Sequence, residues 1–358
     1  MTLPTELDLS LDVTALTIAL CDIESVSGNE TTLADAVEHS LRALPHLTVD
    51  RDGDTVIART SLGRAERVVI AGHLDTVPLG DNLPVRIEDG RLHGCGTTDM
   101  KSGVAVALRL AAHVADPNRD LTFVFYDHEE VEADKNGLGR VARTHPDWLA
   151  GHFAVLMEPT NATVEGGCQG TLRADVTLRG HRAHSARSWM GSNAVHAAGE
   201  LLTRLSAYQP ETVEIDGLTY REGLNAVGIT GGVAGNVVPD ECVVTVNYRF
   251  APSKSESQAA DVVRRVLDGF DVVVSDSAPG ALPGLSHPAA AAFVAMVGRE
   301  PAPKFGWTDV SRFSALGVPA VNYGPGDPSV AHQREEYCDI APILECEQTM
   351  LTWLTAGR

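Results

Sequence analysis

The sequence has few basic residues for its length. Lysine and arginine total 28 against 48 aspartates and glutamates, which gives a formal net charge of −20. Nucleic acids and anionic membrane surfaces carry the same sign, so we expect neither as a partner. No run approaches the roughly 18 uninterrupted apolar residues that a membrane-spanning helix needs. The sequence therefore predicts neither a nucleic-acid partner nor a membrane span.

Paired cysteine motifs are also missing. The six cysteines of the 358 residues are widely spaced, and none forms a Cys-x-x-Cys pair. That spacing is a poor disulfide framework and favours reduced thiols. The first twenty residues include Glu6, Asp8 and Asp12 and lack the basic start and apolar core of a signal peptide. We therefore expect a cytoplasmic protein.

Hydrophobic periodicity predicts an α/β fold of two domains. A chain of 358 residues with 44% hydrophobic and 21% charged residues is typical of a globular protein with more than one core. Continuously apolar strands near 68–71, 121–126 and 153–157 alternate with helices near 103–114 and 137–144. This alternation predicts a mainly parallel sheet with helices on both faces.

The pattern changes near residue 171. Leu172, Ala174, Val176 and Leu178 alternate with polar residues, which indicates a half-buried strand. A helix at 192–207, strands at 224–231 and 242–250, a helix at 256–268 and a strand at 270–274 follow. The order β-α-β-β-α-β is that of a ferredoxin-like unit. We predict an inserted lid and dimerisation domain over 173–279, within a catalytic domain formed by 1–172 and 280–358.

Metal-binding side chains follow the ends of the apolar strands. Ligands of open α/β sheets gather outside the carboxyl ends of the strands. Two histidines and several carboxylates at this edge predict a site with room for two divalent metals and hence a metal-dependent amidohydrolase. The candidate ligands are His73, Asp99, Glu130, Glu158 and His332.

The residue types also suggest a division of roles. Asp99 can share its two oxygens between metals roughly 3.5–4 Å apart. Of the adjacent pair Glu129 and Glu130, one can bind metal while the other serves as general base. Asp75 can accept the remaining ring N–H of His73. Carboxylate and imidazole ligands suit zinc, although cobalt or manganese can occupy similar sites.

Further candidates lie in the inserted segment. His184, in Gly180–Arg187, can stabilise a tetrahedral oxyanion. Arg249 and Asn236 can bind a substrate carboxylate, since a bidentate arginine pair suits an anionic ligand. Six other histidines are interpreted as surface or structural residues: His93, His128, His152, His181, His196 and His287.

Seven segments together resemble the dinuclear-zinc aminoacylase and exopeptidase superfamily over nearly the whole chain. Within it, the sequence is most similar to the desuccinylase family that acts on N-succinyl-LL-2,6-diaminopimelate, in its actinobacterial branch. The segments are 71–78 (AGHLDTVP), 93–102 (HGCGTTDMKS), 158–160 (EPT), 180–189 (GHRAHSARSW), 220–225 (YREGLN), 247–252 (NYRFAP) and 306–313 (GWTDVSRF).

The resemblance implies two Zn²⁺ per subunit. His73, Asp99 and Glu158 would hold one metal, and Asp99, Glu130 and His332 the other. Glu129 would be the general base toward a water between the metals, with Asp75 supporting His73.

The resemblance also implies a dicarboxylate-type substrate and a homodimer formed through the lid domain. His184 would reach the active site of the neighbouring subunit. The substrate carboxylates would be held by Arg249, Asn236 and the loop that contains Gly306, Trp307 and Thr308.

Three segments depart from the family pattern and leave the acyl-group preference open. The usual Gly-Thr-Ser-Asp loop has Trp307 at its second position, Gly235 precedes Asn236, and Cys168-Gln169-Gly170 stands where related enzymes often carry arginine. The alternatives are an acetylornithine deacetylase-like enzyme, a di- or tripeptide metallo-exopeptidase and a non-catalytic dimeric binding protein. The presence of Glu129 argues against the last of these.

Overall fold

The computed structural model describes residues 6–357, so the ends of the predicted catalytic domain, 1–5 and 358, lie outside it. The chain divides into two compact units. The first unit runs to Gly166 and includes Pro283–Ala302 and the residues from Arg312 onward. The second unit comprises Gly167–Leu282 and Pro303–Ser311. Each unit has its own cluster of buried apolar side chains.

Four α-helices and eight strands lie in the described chain as far as Gly166. The helices are α1 Val13–Cys21, α2 Thr31–Arg42, α3 Lys101–His113 and α4 Gly137–Thr144. The strands are β1 Thr48–Asp52, β2 Thr55–Arg59, β3 Arg67–His73, β4 Arg86–Glu88, β5 Arg91–His93, β6 Asp120–Tyr126, β7 Phe153–Leu156 and β8 Glu165–Gly166.

Strands dominate the inserted segment, and helices return after it. The strands are β9 Gly170–Arg179, β10 Ala183–His184, β11 Thr212–Ile215, β12 Leu218–Arg221, β13 Gly223–Gly231, β14 Val237–Val238, β15 Glu241–Phe250 and β16 Val272–Ala278, with helices α5 Ala194–Ala207 and α6 Glu256–Val266. The remaining elements are α7 Pro288–Val297, β17 Ala302–Pro303, α8 Val310–Ala315, β18 Ala320–Asn322, β19 Tyr337–Asp339 and α9 Ile340–Thr355.

The larger sheet has eight strands in the order β1-β2-β6-β3-β7-β18-β8-β17. Its centre is parallel, because β3 pairs in parallel with β6 and β7, and β7 with β18. The strands toward the edges are antiparallel, as in the β1–β2 and β18–β8 pairs. Strands β3, β6 and β7 are almost completely buried, which explains their continuous apolar sequences. The predicted α/β class with a mainly parallel sheet is confirmed.

The second unit contains the four-stranded sheet β13-β15-β9-β16, in which the determined pairings are antiparallel. Taken along the chain as first to fourth strand, the spatial order is 2-3-1-4, the order of a ferredoxin-like unit. Alternate residues of β9 and β15 are buried, as the sequence pattern predicts. Leu201 of α5 and Val263 of α6 pack into the same apolar cluster.

The second unit extends a few residues beyond the predicted insertion at both ends, to Gly167 and Leu282, and also includes one separate segment. Pro303–Ser311 groups with the second unit, whereas the prediction assigned it to the catalytic domain. Hydrogen bonds supply the physical reason: the indole Nε1 of Trp307 and the hydroxyl of Ser311 both donate to the Pro279 carbonyl, at 3.0 and 2.7 Å. Local sequence patterns do not indicate that a segment so far along the chain packs with the second unit.

Several elements were not predicted. They include the three-stranded sheet β19-β5-β4, the β11–β12 hairpin and the C-terminal helix α9. Within residues 6–357, no helix has the length and apolar character needed to cross a membrane.

Candidate metal centre

The ends of three central strands place the candidate ligands at one edge of the larger sheet. β3 ends at His73, β7 ends two residues before Glu158, and β6 ends four residues before Glu130. Asp99 stands two residues before α3, and His332 lies in the connection between β18 and β19. Parallel strands direct their carboxyl ends to one side, so ligands distant in sequence converge.

The structure brings the five residues into two groups that share Asp99. One group contains His73, Asp99 and Glu158, and the other contains Asp99, Glu130 and His332, with ligand atoms in each group within 4.8 Å of one another. Oδ1 of Asp99 lies 3.2 Å from Nε2 of His73, and Oδ2 lies 3.4 Å from Nε2 of His332. Each oxygen of Asp99 therefore faces a different histidine, which is the arrangement of a bridging carboxylate.

The chemistry of this donor set fits two divalent cations. Each group offers one imidazole nitrogen and two carboxylates, a combination common to zinc sites and compatible with manganese and cobalt. His73 and Glu158 are buried, and a buried acidic group needs a compensating charge. Positive metal ions would supply that charge.

The two histidines are strong bases in the metal-free arrangement. Hydrogen bonds to Asp99 and Glu130 raise the pKa of His332 to about 10. Burial would lower the pKa of His73, but hydrogen bonds to Asp75 and Asp99 raise it well above its usual value. Protons therefore balance the carboxylates when no cation is present.

The pKa values of the two carboxylates Asp99 and Glu130 are shifted in opposite directions. Burial would raise the pKa of Asp99, but hydrogen bonds from His332 and His73 lower it. Burial raises the pKa of Glu130, and the neighbouring charge of Asp99 adds to that effect. A cation must therefore displace protons from the cluster, because a ligand coordinates metal in its deprotonated form.

Glu129 lies beside the ligands and is half-buried. Its carboxylate forms a further close group with His73 and Glu130, within 4.8 Å. Its backbone N–H donates to Oδ1 of Asp75 at 3.0 Å, and the N–H of Glu130 donates to Oδ2 at 3.0 Å. Asp75 therefore fixes the backbone that carries both the candidate base and a candidate ligand.

The contacts of Asp75 differ from the expected ones. Nδ1 of His73 lies 3.0 Å from the backbone carbonyl of Asp75 and 3.5 Å from its carboxylate, so the carbonyl is the nearer partner. The carboxylate also accepts the hydroxyl of Ser27 at 2.7 Å. Asp75 thus orients the imidazole chiefly through its main chain and the Glu129 segment through its side chain.

The sequence analysis missed a group of residues next to the candidate base. Glu30 is fully buried and accepts the backbone N–H groups of Gly28 at 2.8 Å and His128 at 3.2 Å. Nδ1 of His128 lies 2.8 Å from Oδ2 of buried Asp127. His128 was interpreted as a surface or structural residue, and its place directly before Glu129 was the signal that could have singled it out.

His184 belongs to the second unit, at the end of β10, and is exposed. Its Nδ1 accepts the backbone N–H of Ala186 at 3.0 Å. The neutral ring therefore carries its hydrogen on Nε2, a donor suited to an oxyanion.

The predicted substrate contacts also lie in the second unit. Arg249 is half-buried on β15, opposite Thr171 of β9 and Gly223 of β13. Asn236 is exposed, and its backbone carbonyl accepts the N–H of Ser185, next to His184, at 2.9 Å.

Gly306, Trp307 and Thr308 follow one another in the segment that joined this unit unexpectedly. Gly306 is exposed, Trp307 is half-buried and Thr308 is buried. The Thr308 carbonyl accepts a weak hydrogen bond from the thiol of Cys168 at 3.5 Å. With the indole tied to Pro279, the orientation of Trp307 is fixed within this unit.

A scan of protein families matches residues 69–356 to peptidase family M20/M25/M40. The chain is 56% identical over 351 residues to a putative succinyl-diaminopimelate desuccinylase of Mycobacterium tuberculosis, covering 97% of this chain and 99% of that protein. It is 49% identical over 360 residues to the succinyl-diaminopimelate desuccinylase of Corynebacterium glutamicum, covering 98% of each chain.

Solved structures match the fold over almost the full length. A tripeptidase of Staphylococcus aureus superposes with a TM-score of 0.78 at 19% identity, covering 97% of this chain and 98% of that one. A dinuclear metal-binding peptidase of the M20 family from Bacillus subtilis gives a TM-score of 0.69 at 17% identity, covering 96% of each. At such identities the likeness concerns the fold alone.

Proposed function

Since the chain belongs to peptidase family M20/M25/M40, we propose that it hydrolyses the amide bond of N-succinyl-LL-2,6-diaminopimelate. The products are succinate and LL-2,6-diaminopimelate, a precursor of lysine and of peptidoglycan cross-links. Two relatives named as succinyl-diaminopimelate desuccinylases are 56% and 49% identical to this chain over nearly its whole length. The resemblance that the sequence motifs indicated is confirmed.

One observation carries the reaction class. The two oxygens of Asp99 face the Nε2 atoms of His73 and His332, and the carboxylate of Glu129 lies beside the same cluster. A shared carboxylate with a second carboxylate beside it, outside the two ligand groups, is the arrangement that metal-assisted hydrolysis of an amide needs.

Different residues would transfer protons and stabilise the developing charge during the reaction. Two bound metals would polarise the scissile carbonyl and lower the pKa of a water to about 7. Glu129 accepts the proton of the attacking water and delivers it to the leaving amine. The Nε2–H of His184 donates a hydrogen bond to the oxyanion of the tetrahedral intermediate. The Asp75 carboxylate keeps Glu129 in place by accepting the backbone N–H of Glu129.

The metals are two Zn²⁺ ions per subunit in this proposal. His73 and Glu158 would hold one and Glu130 and His332 the other, with Asp99 available to both. The dinuclear centre of the B. subtilis neighbour supports the number of two. Co²⁺ or Mn²⁺ can replace zinc in such a ligand set.

The substrate carries several carboxylates, and we assign their binding to the second unit. Arg249 and Asn236 contact one carboxylate, and the Gly306–Thr308 loop contacts another. Support comes from the preference of guanidinium for planar carboxylates and from the fixed orientation of the Trp307 indole. Trp307, a departure from the family loop, would shape the acyl pocket.

A homodimer through the second unit completes the proposal. β13 lies at an edge of its sheet, and most of its residues are exposed, including Val227 and Ile229 at 61% and 52%. An exposed apolar edge strand favours pairing with another chain. In that dimer His184 would act at the partner's metal centre. The buried thiols of the six cysteines, none of them in a disulfide, support a cytoplasmic location.

The test is succinate release from N-succinyl-LL-diaminopimelate by the zinc-loaded protein. Acetylornithine and a tripeptide serve as parallel substrates, and a chelated sample serves as control. Turnover of the succinyl substrate that is lost on chelation supports the proposal. Cleavage of acetylornithine or the tripeptide alone would keep the reaction class and reassign the substrate, whereas no amide hydrolysis at all would contradict the proposed enzyme.

A further inference from the structure

Glu336 is a buried carboxylate beside the metal centre that the preceding mechanism does not use. It is 2% exposed and lies four residues after His332. Its Oε1 accepts the backbone N–H groups of Thr98 at 2.8 Å and Asp99 at 3.1 Å. Its Oε2 accepts the N–H of Gly96 at 3.1 Å. Both oxygens are therefore occupied by the loop that ends at the shared ligand Asp99.

Backbone contacts join the same two segments a second time. The carbonyl of Glu336 accepts the N–H of Gly94 at 3.0 Å, and the hydroxyl of Thr98 donates to the carbonyl of Tyr337 at 2.5 Å. One segment carries Asp99 and the other follows His332, whose side chains lie 3.4 Å apart. Glu336 thus connects the Asp99 loop to the segment that follows His332 by hydrogen bonds. Asp99 and His332 must both present ligand atoms to the same cation.

The energetic reason lies in the number and nature of these hydrogen bonds. A carboxylate that accepts backbone N–H groups away from water makes stronger bonds than a neutral acceptor. Three such donors fix the main chain on both sides of Thr98 and hence the position of the Asp99 carboxylate. Metal coordination tolerates displacements of only about 0.2 Å, so a small shift of this loop weakens binding.

We propose that Glu336 is a positioning residue. It sets the metal affinity of the centre by holding the Asp99 carboxylate at the correct distance from His332. The inference rests on the proposed function in taking Asp99 as the shared ligand. Because Glu336 acts through the main chain of the Asp99 loop, its removal changes metal binding without removing a ligand.

The test is zinc titration of the metal-free full-length protein against a competing chelating indicator, for wild type and Glu336→Gln. Glutamine keeps one acceptor oxygen for Thr98 and Asp99 but turns an N–H₂ donor toward the N–H of Gly96. We expect the dissociation constant of the more weakly held zinc to rise ~10- to 100-fold, the range typical for residues that orient metal ligands. At saturating zinc, kcat should fall while KM changes less than about threefold.

Two control variants separate positioning from general effects. Glu335→Gln removes the same charge one residue away at an exposed position and should leave zinc affinity within about twofold of wild type. Glu222→Gln removes a buried carboxylate of the second unit that accepts the N–H of Ala251, and it reports how far a loss of stability alone affects zinc binding. Thermal unfolding of each metal-free variant is measured alongside.

A folded Glu336→Gln variant with wild-type zinc affinity and kcat would overturn the proposal. If that variant does not fold, Glu336→Asp takes its place, since the shorter side chain keeps the charge but cannot reach the N–H groups of Gly96, Thr98 and Asp99 together. A folded Glu336→Asp variant with wild-type zinc affinity and kcat would then overturn the proposal. A wild-type protein that binds zinc but releases no succinate would contradict the proposed function, while the zinc titrations would still decide the role of Glu336.

Discussion

Three carboxylate side chains near the candidate metal centre bind the backbone of neighbouring loops. Asp75 and Glu336 each accept two or more backbone N–H groups from loops that carry ligands or the candidate base, and Glu30 accepts the N–H of His128, next to that base. None of the three belongs to the close groups of candidate ligands in residues 6–357. The order of the site therefore depends on carboxylates outside the ligand groups, and substitutions can separate the two roles.

Glu129→Gln tests the general base. Glutamine has nearly the same shape but cannot accept the proton, so we expect kcat to fall by at least ~10²–10⁴-fold while two metals remain bound. Steady-state kinetics and elemental analysis of the purified variant measure both quantities. Glu132→Gln is the matched control, because Glu132 is exposed and pairs with exposed Lys135 at 2.8 Å. Full activity of Glu129→Gln would rule out the proposed base.

Metal binding should release protons and strengthen as pH rises. The pKa of His332 is raised to about 10 in the metal-free centre, so the ring is protonated below that pH and must lose its proton to bind metal. Affinity should therefore fall as pH drops from about 9 to about 6, by up to about tenfold per pH unit for each proton released. Calorimetric titration with zinc in buffers of different ionisation enthalpy counts the protons. His332→Gln should release fewer, and an unchanged count would contradict this assignment.

Secondary-structure elements bring the ligands together only if their ends approach closely. Gly103 lies in the first turn of α3, and a Cβ at this position would come within 2.1 Å of the carbonyl oxygen of Met157. Met157 precedes Glu158, and α3 follows Asp99. Contact between the start of α3 and the end of β7 therefore determines the distance between two ligands of the same group.

Gly103→Ala should damage stability and metal binding together. The added methyl collides with backbone that cannot rotate away, so we expect the free energy of unfolding to fall by about 1–3 kcal/mol and zinc affinity to fall with it. Gly199→Ala is the matched control, because this α5 glycine is exposed and nothing lies within 4 Å of its added methyl. That variant should gain roughly 0.4–1 kcal/mol. Denaturant unfolding of the metal-free proteins and zinc titration supply the comparison.

The whole molecule is expected to work as a dimer in which each lid serves the partner's metal centre. Ile229→Lys places a charge on the exposed edge strand β13 and should convert the dimer to monomer, with loss of activity. Val273→Lys is the matched control, since Val273 is 58% exposed on β16, the opposite edge of the same sheet. Sedimentation velocity measures the mass. A monomeric wild type, or dissociation caused only by Val273→Lys, would contradict pairing through β13.

Mixed dimers test whether His184 acts across the interface. Glu129→Gln and His184→Ala should each be nearly inactive alone. When their subunits are exchanged, a mixed dimer combines an intact Glu129 with the partner's intact His184, so about a quarter of wild-type activity should return after equal mixing if exchange is random. No recovery after verified subunit exchange would place His184 in the same subunit as the base it serves.

The sequence by itself determined the fold class and the set of candidate ligands. Apolar runs that are buried on both faces predict central strands, and the residues after β3, β6 and β7 must then meet at one edge of the sheet. Alternation in β9 and β15 likewise predicts a sheet with one covered face. These features depend on neighbours along the chain, and local patterns carry that information.

Only the tertiary structure decided how the site is held. Glu336 binds the backbone of Asp99 although 237 positions separate them, and Glu30 reaches His128 across 98 positions. The same holds for the return of Pro303–Ser311 to the second unit and for the contacts of Asp75. A buried carboxylate takes whichever N–H groups the packed chain brings to it, because leaving it without partners costs free energy. Its partners are therefore fixed by packing between distant segments, which no local pattern encodes.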